Sequence, residues 1–474
     1  MLKHLRVQNF KSWEDTGDIV MAPITLFFGA NSSGKSSIGQ FLMMLKQTAE
    51  SPDRKVVFFP GDNKSAVQLN SYQEMVFSRK PTNKISFSYQ WECPEFRDIT
   101  DPLSNTKYSG TTLEFEAQVA LEEKNRQAIL MEYLQYKVLD AEQRLSLSIE
   151  LNRQPEKLAY RVETKHYALV RKPGRVWSPG PPVRFYGFPD EVVAYHQNAE
   201  FVTDLNLHQE NLFRSMCYLG PLRTKTSRLY SWSGIEPDSV GYAGENTISA
   251  ILAANNRKLG VKGYNASRAS KSHSFEAVIA NALKKMELIQ DFKVTRLSDQ
   301  RQEYEVKLQV RGSNAWVDLP DVGFGISQVL PVLVECYYAP AGAIILMEQP
   351  EIHLHPRAQS ALADVLIDVI QSRENGADRN IQLIIETHSE HFLRRLQRRI
   401  AEDVIPREHV SAYFANVVGS SSMLTPLEID DYGTIRNWPE NFFGDEMGDI
   451  ASQAKAAMDK RKKERTAAKG KAHE

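Results

Sequence analysis

Residues 29 to 36, Gly-Ala-Asn-Ser-Ser-Gly-Lys-Ser, match the pattern GxxxxGK[ST] at every fixed position. Such a loop turns backbone N–H groups inward around phosphate oxygens at a helix N-terminus. Gly29, Ala30, Asn31, Ser32, Ser33, Gly34, Lys35, Ser36 and Ser37 are therefore the candidate phosphate cradle. Lys35 is expected to reach the β- and γ-phosphates, and the Ser36 hydroxyl to ligate magnesium, which makes ATP and Mg2+ the expected ligands. More than three hundred residues on, the apolar run IILM (344–347) ends in Glu348-Gln349. In many ATP-hydrolysing enzymes Asp-Glu stands there, the Asp for the metal and the Glu to polarise the attacking water. Glu348 keeps a carboxylate for the metal, but the Gln349 amide cannot accept a proton. Phosphoryl transfer through a loose transition state depends more on orientation and charge than on base strength. Gln349 can orient water, and Glu351, beyond Pro350, offers a carboxylate to the same water, so the catalytic candidates are Gln349 and Glu351.

These residues need elements to hold them. ITLFF (24–28) reads as a buried strand leading into the glycine-rich loop, and Ile38, Phe41, Leu42 and Leu45 mark one face of the helix that follows. Between residues 84 and 172, KISFSYQW, TTLEFEAQVALE, LSLSIEL and LAYRVET alternate apolar and polar residues, which predicts an antiparallel β lobe with a short helix at 128–134. The Pro- and Gly-rich run RKPGRVWSPGPPVRFYGFP marks a boundary or surface loop. GENTISAILAANN and SFEAVIANALKKMEL carry helical spacing, and EYEVKLQV with AWVDLP predicts a hairpin around residues 312–314. Helices near 327–338, 361–369 and 390–400 then alternate with strands AIILM, IQLIIET, SAYFANVV and LTPLEID. That alternation is the α/β signature of a largely parallel sheet. The expected division is 1–80 for the first half of the core, 81–215 for the β lobe, 216–300 for an inserted helical subdomain, 301–436 for the second half of the core, and 437–474 for a C-terminal motif and basic tail.

NFKSW (9–13), GANSSGKSS, DVGFGISQ (321–328), EQPEIHLHP and ETHSE (386–390) occur in the order found in ABC-type P-loop ATPase heads. The chain resembles the RecF, Rad50 and SMC group and the overcoming-lysogenization-defect proteins. YLGPLR (218–223) and WPENFF (438–443) look like a bacterial AAA ATPase family whose C-terminal segment is a domain of unknown function. The resemblance implies a homodimer with ATP sandwiched between subunits, and a higher oligomer stays open. It further implies that Gly323 and Gly325 approach the γ-phosphate bound to the partner, with Ser327 or Gln328 nearby, although Gly323 stands where the family has a Ser. By the same resemblance His388 senses the γ-phosphate, and a Gln after the P-loop, Gln73 or else Gln68, couples the metal to movement of the lobe.

Composition sets outer bounds. In 474 residues the formal net charge is −1, so DNA binding would need a local basic patch. The three cysteines have no CxxC spacing, no run approaches a membrane span, and a cytoplasmic protein without membrane attachment is expected. His353, His355, His388 and His391 could be read as a metal cluster, but they fall on family motifs with other roles. Arg394, Arg395, Arg398 and Arg399 share one face of a predicted helix, which reads as a solvated face or a DNA- or partner-binding one. The last 24 residues read as a frayed helix or a disordered tail. The expectation is a slowly hydrolysing, ATP-gated dimeric switch that controls a separate effector, a nuclease or toxin, or acts on DNA, in anti-phage defence or DNA repair. A non-hydrolysing ATP-dependent scaffold is the alternative. A transporter motor fits less well, because no LSGGQ-like signature is present.

Overall fold

The computed structural model describes residues 1–93, 96, 98–122, 128–154, 159–174, 178–262, 274–298, 300–439, 442 and 446–471. Six strands form the central sheet in the order Met216–Leu219, Ile344–Glu348, Gln382–Glu386, Ile24–Gly29, Val410–Val418 and Ser421–Pro426. The first five are parallel, and the last closes an antiparallel hairpin. The near-continuous apolar composition of Met216–Leu219, Ile344–Glu348, Gln382–Glu386 and Ile24–Gly29 follows from burial on both faces. Leu26, Phe28, Ile345, Met347, Leu383 and Ile385 face one hydrophobic core. Phe27, Ile344, Leu346 and Ile384 face the other, together with Ile38, Phe41 and Leu42 of the helix Lys35–Glu50. The period of two along each strand thus joins two cores through one sheet.

The antiparallel sheet runs Ala159–Lys165, Leu145–Gln154, Ile129–Leu139, Thr112–Leu121, Ile85–Glu92, Leu2–Phe10 and Trp13–Asp15, with Ile19–Val20 also on Leu2–Phe10. Two expectations change here. The short helix expected at 128–134 is part of a strand, because residues 129–139 pair on both sides and bury Leu134, Tyr136 and Val138. The sheet also extends outside 81–215, since Leu2–Phe10 pairs with Ile85–Glu92. Within 216–300, Met216–Leu219 belongs to the central sheet, while Thr247–Asn256 and Phe275–Lys285 are helices packed into its first core. The expected hairpin forms between Arg301–Val310 and Trp316–Asp318, and Ile289–Ser298 adds a strand on the other side.

The helix Phe324–Tyr338 buries one carboxylate near its C-terminal end. Glu335 is 1% exposed, its Oε2 accepts from Val240 N at 2.8 Å, and burial pushes its carboxyl above the usual range. A raised pKa means that the folded state keeps a proton the unfolded chain loses above about pH 4.5, so stability falls as pH rises through the folded value. Glu335→Gln is therefore expected to gain stability over wild type as pH rises from 5 to 8. Urea midpoints that differ by the same amount at both ends would contradict this.

At the C-terminal end, Phe442 packs on Phe414, Phe28 and Trp438, with ring centroids 4.9, 5.4 and 5.1 Å away. This part of WPENFF therefore buttresses the P-loop strand; Glu440, Asn441 and Phe443 lie outside the described residues, as do residues 158, 175–177 and 472–474 of the stretches quoted above. The tail is a helix, Glu446–Lys471. Among the described residues no helix is long and apolar enough to cross a membrane.

Candidate functional site

Three neighbouring parallel strands end at one place, and in open α/β sheets ligands sit at such carboxyl ends. Ile24–Gly29 delivers the P-loop, Gln382–Glu386 ends in Glu386, and Ile344–Glu348 ends in Glu348, paired in register with Glu386. A cavity of about 520 Å³ lies above them. Asn31, Ser32, Ser33, Gly34, Lys35, Ser36, Ser37, Glu348, Gln349 and His388 line it, as do Lys11, Ser12, Gln40, Pro221 and Glu386.

The loop geometry explains its glycines. Gly29 has φ +139° and Gly34 φ +92°; a Cβ at Gly29 would stand 2.1 Å from Ala415 O. The buried Lys35 Nζ donates to the loop's own carbonyls, Gly29 O at 3.0 Å and Ala30 O at 2.7 Å. Burial lowers its pKa, and Glu386, 3.9 Å away, opposes that shift. The ammonium is thus held beneath the loop with no carboxylate in hydrogen-bond contact, a placement suited to an anionic ligand. Ser36 Oγ donates to Glu386 Oε2 at 2.7 Å, and Tyr218 Oη to Glu348 Oε1 at 2.6 Å. Ser36, Glu348, Glu386 and Gln40 are oxygen donors of the kind magnesium takes, and one or two carboxylates with nucleotide phosphates suffice to hold it. Burial raises the Glu348 pKa; the Tyr218 hydrogen bond opposes that shift and the nearby Glu386 adds to it.

The two candidates for handling water part company. Gln349 lines the cavity, with φ +47° and its backbone N–H bonded to Glu386 O at 2.8 Å. Glu351 is 6% exposed and does not line the cavity. Its Oε1 accepts from Thr387 Oγ1 at 2.7 Å and His388 N at 2.9 Å, and burial pushes its pKa up. Glu351 therefore anchors the segment that presents His388. Burial, and then Lys35, lower the His388 pKa, which favours a neutral ring at neutral pH.

Gly323, Gly325 and Ser327 lie outside this cavity. Gly323 caps the helix Phe324–Tyr338, Phe324 is 78% exposed, and Ser327 Oγ turns back to Phe324 O at 2.9 Å. Gly325 packs on the loop after Gln349, where a Cβ would come within 3.0 Å of His353 O. Gln73 is exposed on the short helix Tyr72–Met75, and Gln68 bonds Asp62 O at 2.8 Å; neither lines the cavity, whereas Gln40 does. Gln40 falls one helical turn beyond Ser36 on the P-loop helix, a spacing that could have pointed to it. Glu386, Tyr218 and Arg223 also escaped the sequence reading, though Glu386 ends a buried strand just as Glu348 does, and Tyr218 lies one residue before the end of its own.

Among the described residues no three His, Cys, Asp or Glu side chains are grouped to hold a metal by themselves. The arginine face is occupied from within. Arg395 and Arg399 pair with Asp364, Arg398 and Arg399 with Glu402, and Arg394 with Glu390. Arg394 also lies 4.4 Å from the centre of the Trp438 ring.

Residues 1–169 and 246–393 match the family model described as AAA ATPase domain. Residues 405–453 match a family described as a protein of unknown function, DUF3696. A search of curated proteins finds no match. Among solved structures, the SMC head domain from Thermotoga maritima is similar at 10% identity and TM-score 0.40, over 90% of this chain and 99% of that one. A Smc head domain with an extended coiled coil, bound to the C-terminal domain of ScpA derived from Pyrococcus furiosus, is similar at 11% identity and TM-score 0.43, over 90% and 96% of the two chains.

Proposed function

The chain belongs to the AAA ATPase domain family, and from that premise we propose a slow, magnesium-dependent ATPase that closes as a homodimer on ATP and so controls a separate effector subunit. One observation carries this reading: Lys35, Ser36, Glu348, Gln349, Glu386 and His388 line a single cavity, while Gly323, Gly325 and Ser327 lie outside it, at the exposed start of a helix. In this reading a second subunit supplies that helix start across the nucleotide. Magnesium, when bound, neutralises the β,γ-phosphate charge. Lys35 binds the phosphates from beneath the loop, and Ser36, Glu348 and Glu386 hold the metal side of the cavity. Gln349 orients the attacking water through its amide, and the neutral His388 ring meets the γ-phosphate. Orientation without a carboxylate base makes the hydrolysis slow. The cellular setting we propose, anti-phage defence or DNA repair, rests on the family resemblance alone.

Sedimentation with and without a non-hydrolysable ATP analogue, beside a turnover assay on wild type and Lys35→Ala, tests both halves. The expected result is an analogue-dependent dimer, with wild-type turnover above that of Lys35→Ala. A protein that stays monomeric with bound analogue loses the dimer reading. The absence of a carboxylate at Gln349 favours one second reading, an ATP-dependent scaffold that does not hydrolyse. Turnover equal to that of Lys35→Ala, with ATP still bound by wild type, would establish it.

A further inference from the structure

The loop at residues 220–223 brings a cation to the back of this site. Pro221 lines the nucleotide cavity, and two residues on, Arg223 Nη2 donates to the main-chain oxygen of Glu348 at 3.4 Å, the carbonyl that precedes Gln349. Tyr218 holds the Glu348 carboxylate from the same strand end. The Arg223 Nε and Nη1 groups are buried without a hydrogen-bond partner; the Glu348 carboxylate acts on this guanidinium through space, without a direct side-chain bond to it. A chain seldom buries an arginine so incompletely satisfied, because each idle donor has lost its water. Burial draws its pKa down to about 10, which still leaves it charged at neutral pH.

We propose that Arg223 is a positioning residue for hydrolysis: Nη2 fixes the Glu348–Gln349 peptide, and the unpaired cation sets a positive potential where the transferred phosphoryl group gathers negative charge. This rests on the ATPase reading above. In the step concerned, the water oxygen bonds to the γ-phosphorus as the bond to the β,γ-bridging oxygen breaks. The bridging electron pair leaves on ADP, and the water's proton ends on the released phosphate. No side-chain base is required. A fixed charge in a site shielded from water acts most strongly on the state with the most concentrated negative charge. Arg223 thereby offsets part of what the missing carboxylate at position 349 would have contributed.

The test compares Arg223→Ala, Arg223→Gln and Arg223→Lys with wild type and Lys35→Ala. The readouts are kcat, KM, and affinity for a non-hydrolysable ATP analogue and for ADP with aluminium fluoride, which mimics the transferring phosphoryl group. For Arg223→Ala and Arg223→Gln, kcat is expected to fall about 10²-fold, with KM and analogue affinity near wild type and aluminium fluoride affinity reduced. Arg223→Lys keeps the charge and should recover part of kcat. Wild-type turnover no higher than that of Lys35→Ala would overturn the ATPase reading itself. If wild type is active, a kcat for Arg223→Gln within twofold of it overturns the present inference, as does an equal loss of affinity for both analogues. Should Arg223→Ala not fold, the Lys and Gln variants decide: equal kcat in the two removes any role for the charge.

Discussion

Gln349→Glu is expected to raise ATP turnover about 10²-fold, the lower range of what a positioned general base contributes. Gln349 lines the cavity beside Lys35, Ser36 and His388, and its backbone is tied to Glu386. Glutamate has the same length as glutamine, so a carboxylate placed there would face the water that, in the proposed function, the amide orients. Glu351 is the contrasting case. Its carboxyl is buried under Thr387 and the His388 N–H, and burial already disfavours its charged form. The Glu351→Gln amide oxygen can accept the same two hydrogen bonds, so this variant should keep turnover near wild type. Steady-state phosphate release on both variants decides between the residues. If Gln349→Glu is no faster than wild type while Glu351→Gln drops to the level of Lys35→Ala, the roles assigned here are reversed.

Arg379→Ala is expected to destabilise the protein by roughly 3–5 kcal/mol, the usual cost of breaking a buried, hydrogen-bonded charge arrangement from one side. The side chain is fully buried. Its Nη1 donates to Cys336 O at 3.1 Å and Ser372 Oγ at 3.2 Å, and its Nη2 to Tyr337 O at 3.1 Å and Ala339 O at 2.5 Å. These carbonyls lie at the C-terminal end of the helix Phe324–Tyr338, where a cation also meets the helix dipole favourably. Alanine would leave them without their donor above a new cavity. Because Gly323 caps the other end of this helix, analogue-dependent dimerisation should weaken along with stability. A urea midpoint shift equivalent to less than about 1 kcal/mol, the typical effect of an ordinary substitution, would show that the carbonyls find other partners.

The legible parts of the sequence were those whose chemistry is local. The P-loop could be read because eight consecutive residues must adopt one backbone path, and the central strands because burial on both faces leaves continuous apolar runs. The alternation of longer strands and helices from residue 324 to residue 426 followed for the same reason, whereas the two-residue strands Arg373–Glu374 and Ala377–Asp378 carry no pattern that long. The strand at 129–139 was misread in part, since a short apolar run has no periodicity that excludes a helix until its two neighbours pair with it. The arginine face reads from the sequence as a solvated face first, with a DNA- or partner-binding role as the second reading. Asp364 lies on another helix and Trp438 far along the chain, so the local sequence could not reveal that they engage it.

By itself, the sequence determined that residues 29–37 carry a phosphate-binding pattern, that the core is α/β, and that position 349 carries no carboxylate. Only the tertiary structure decided which residues share the cavity. Glu386 reaches Ser36 because its strand neighbours Ile24–Gly29, which leads through the loop into the helix that carries Ser36, although 350 residues separate them. Glu351 is turned away because the bend after Gln349 directs its carboxyl toward Thr387. Tyr218 and Arg223 meet Glu348 because Met216–Leu219 pairs with Ile344–Glu348 across some 130 residues of chain. Such juxtapositions depend on which strands become neighbours in a sheet, which only the packing of the whole chain settles.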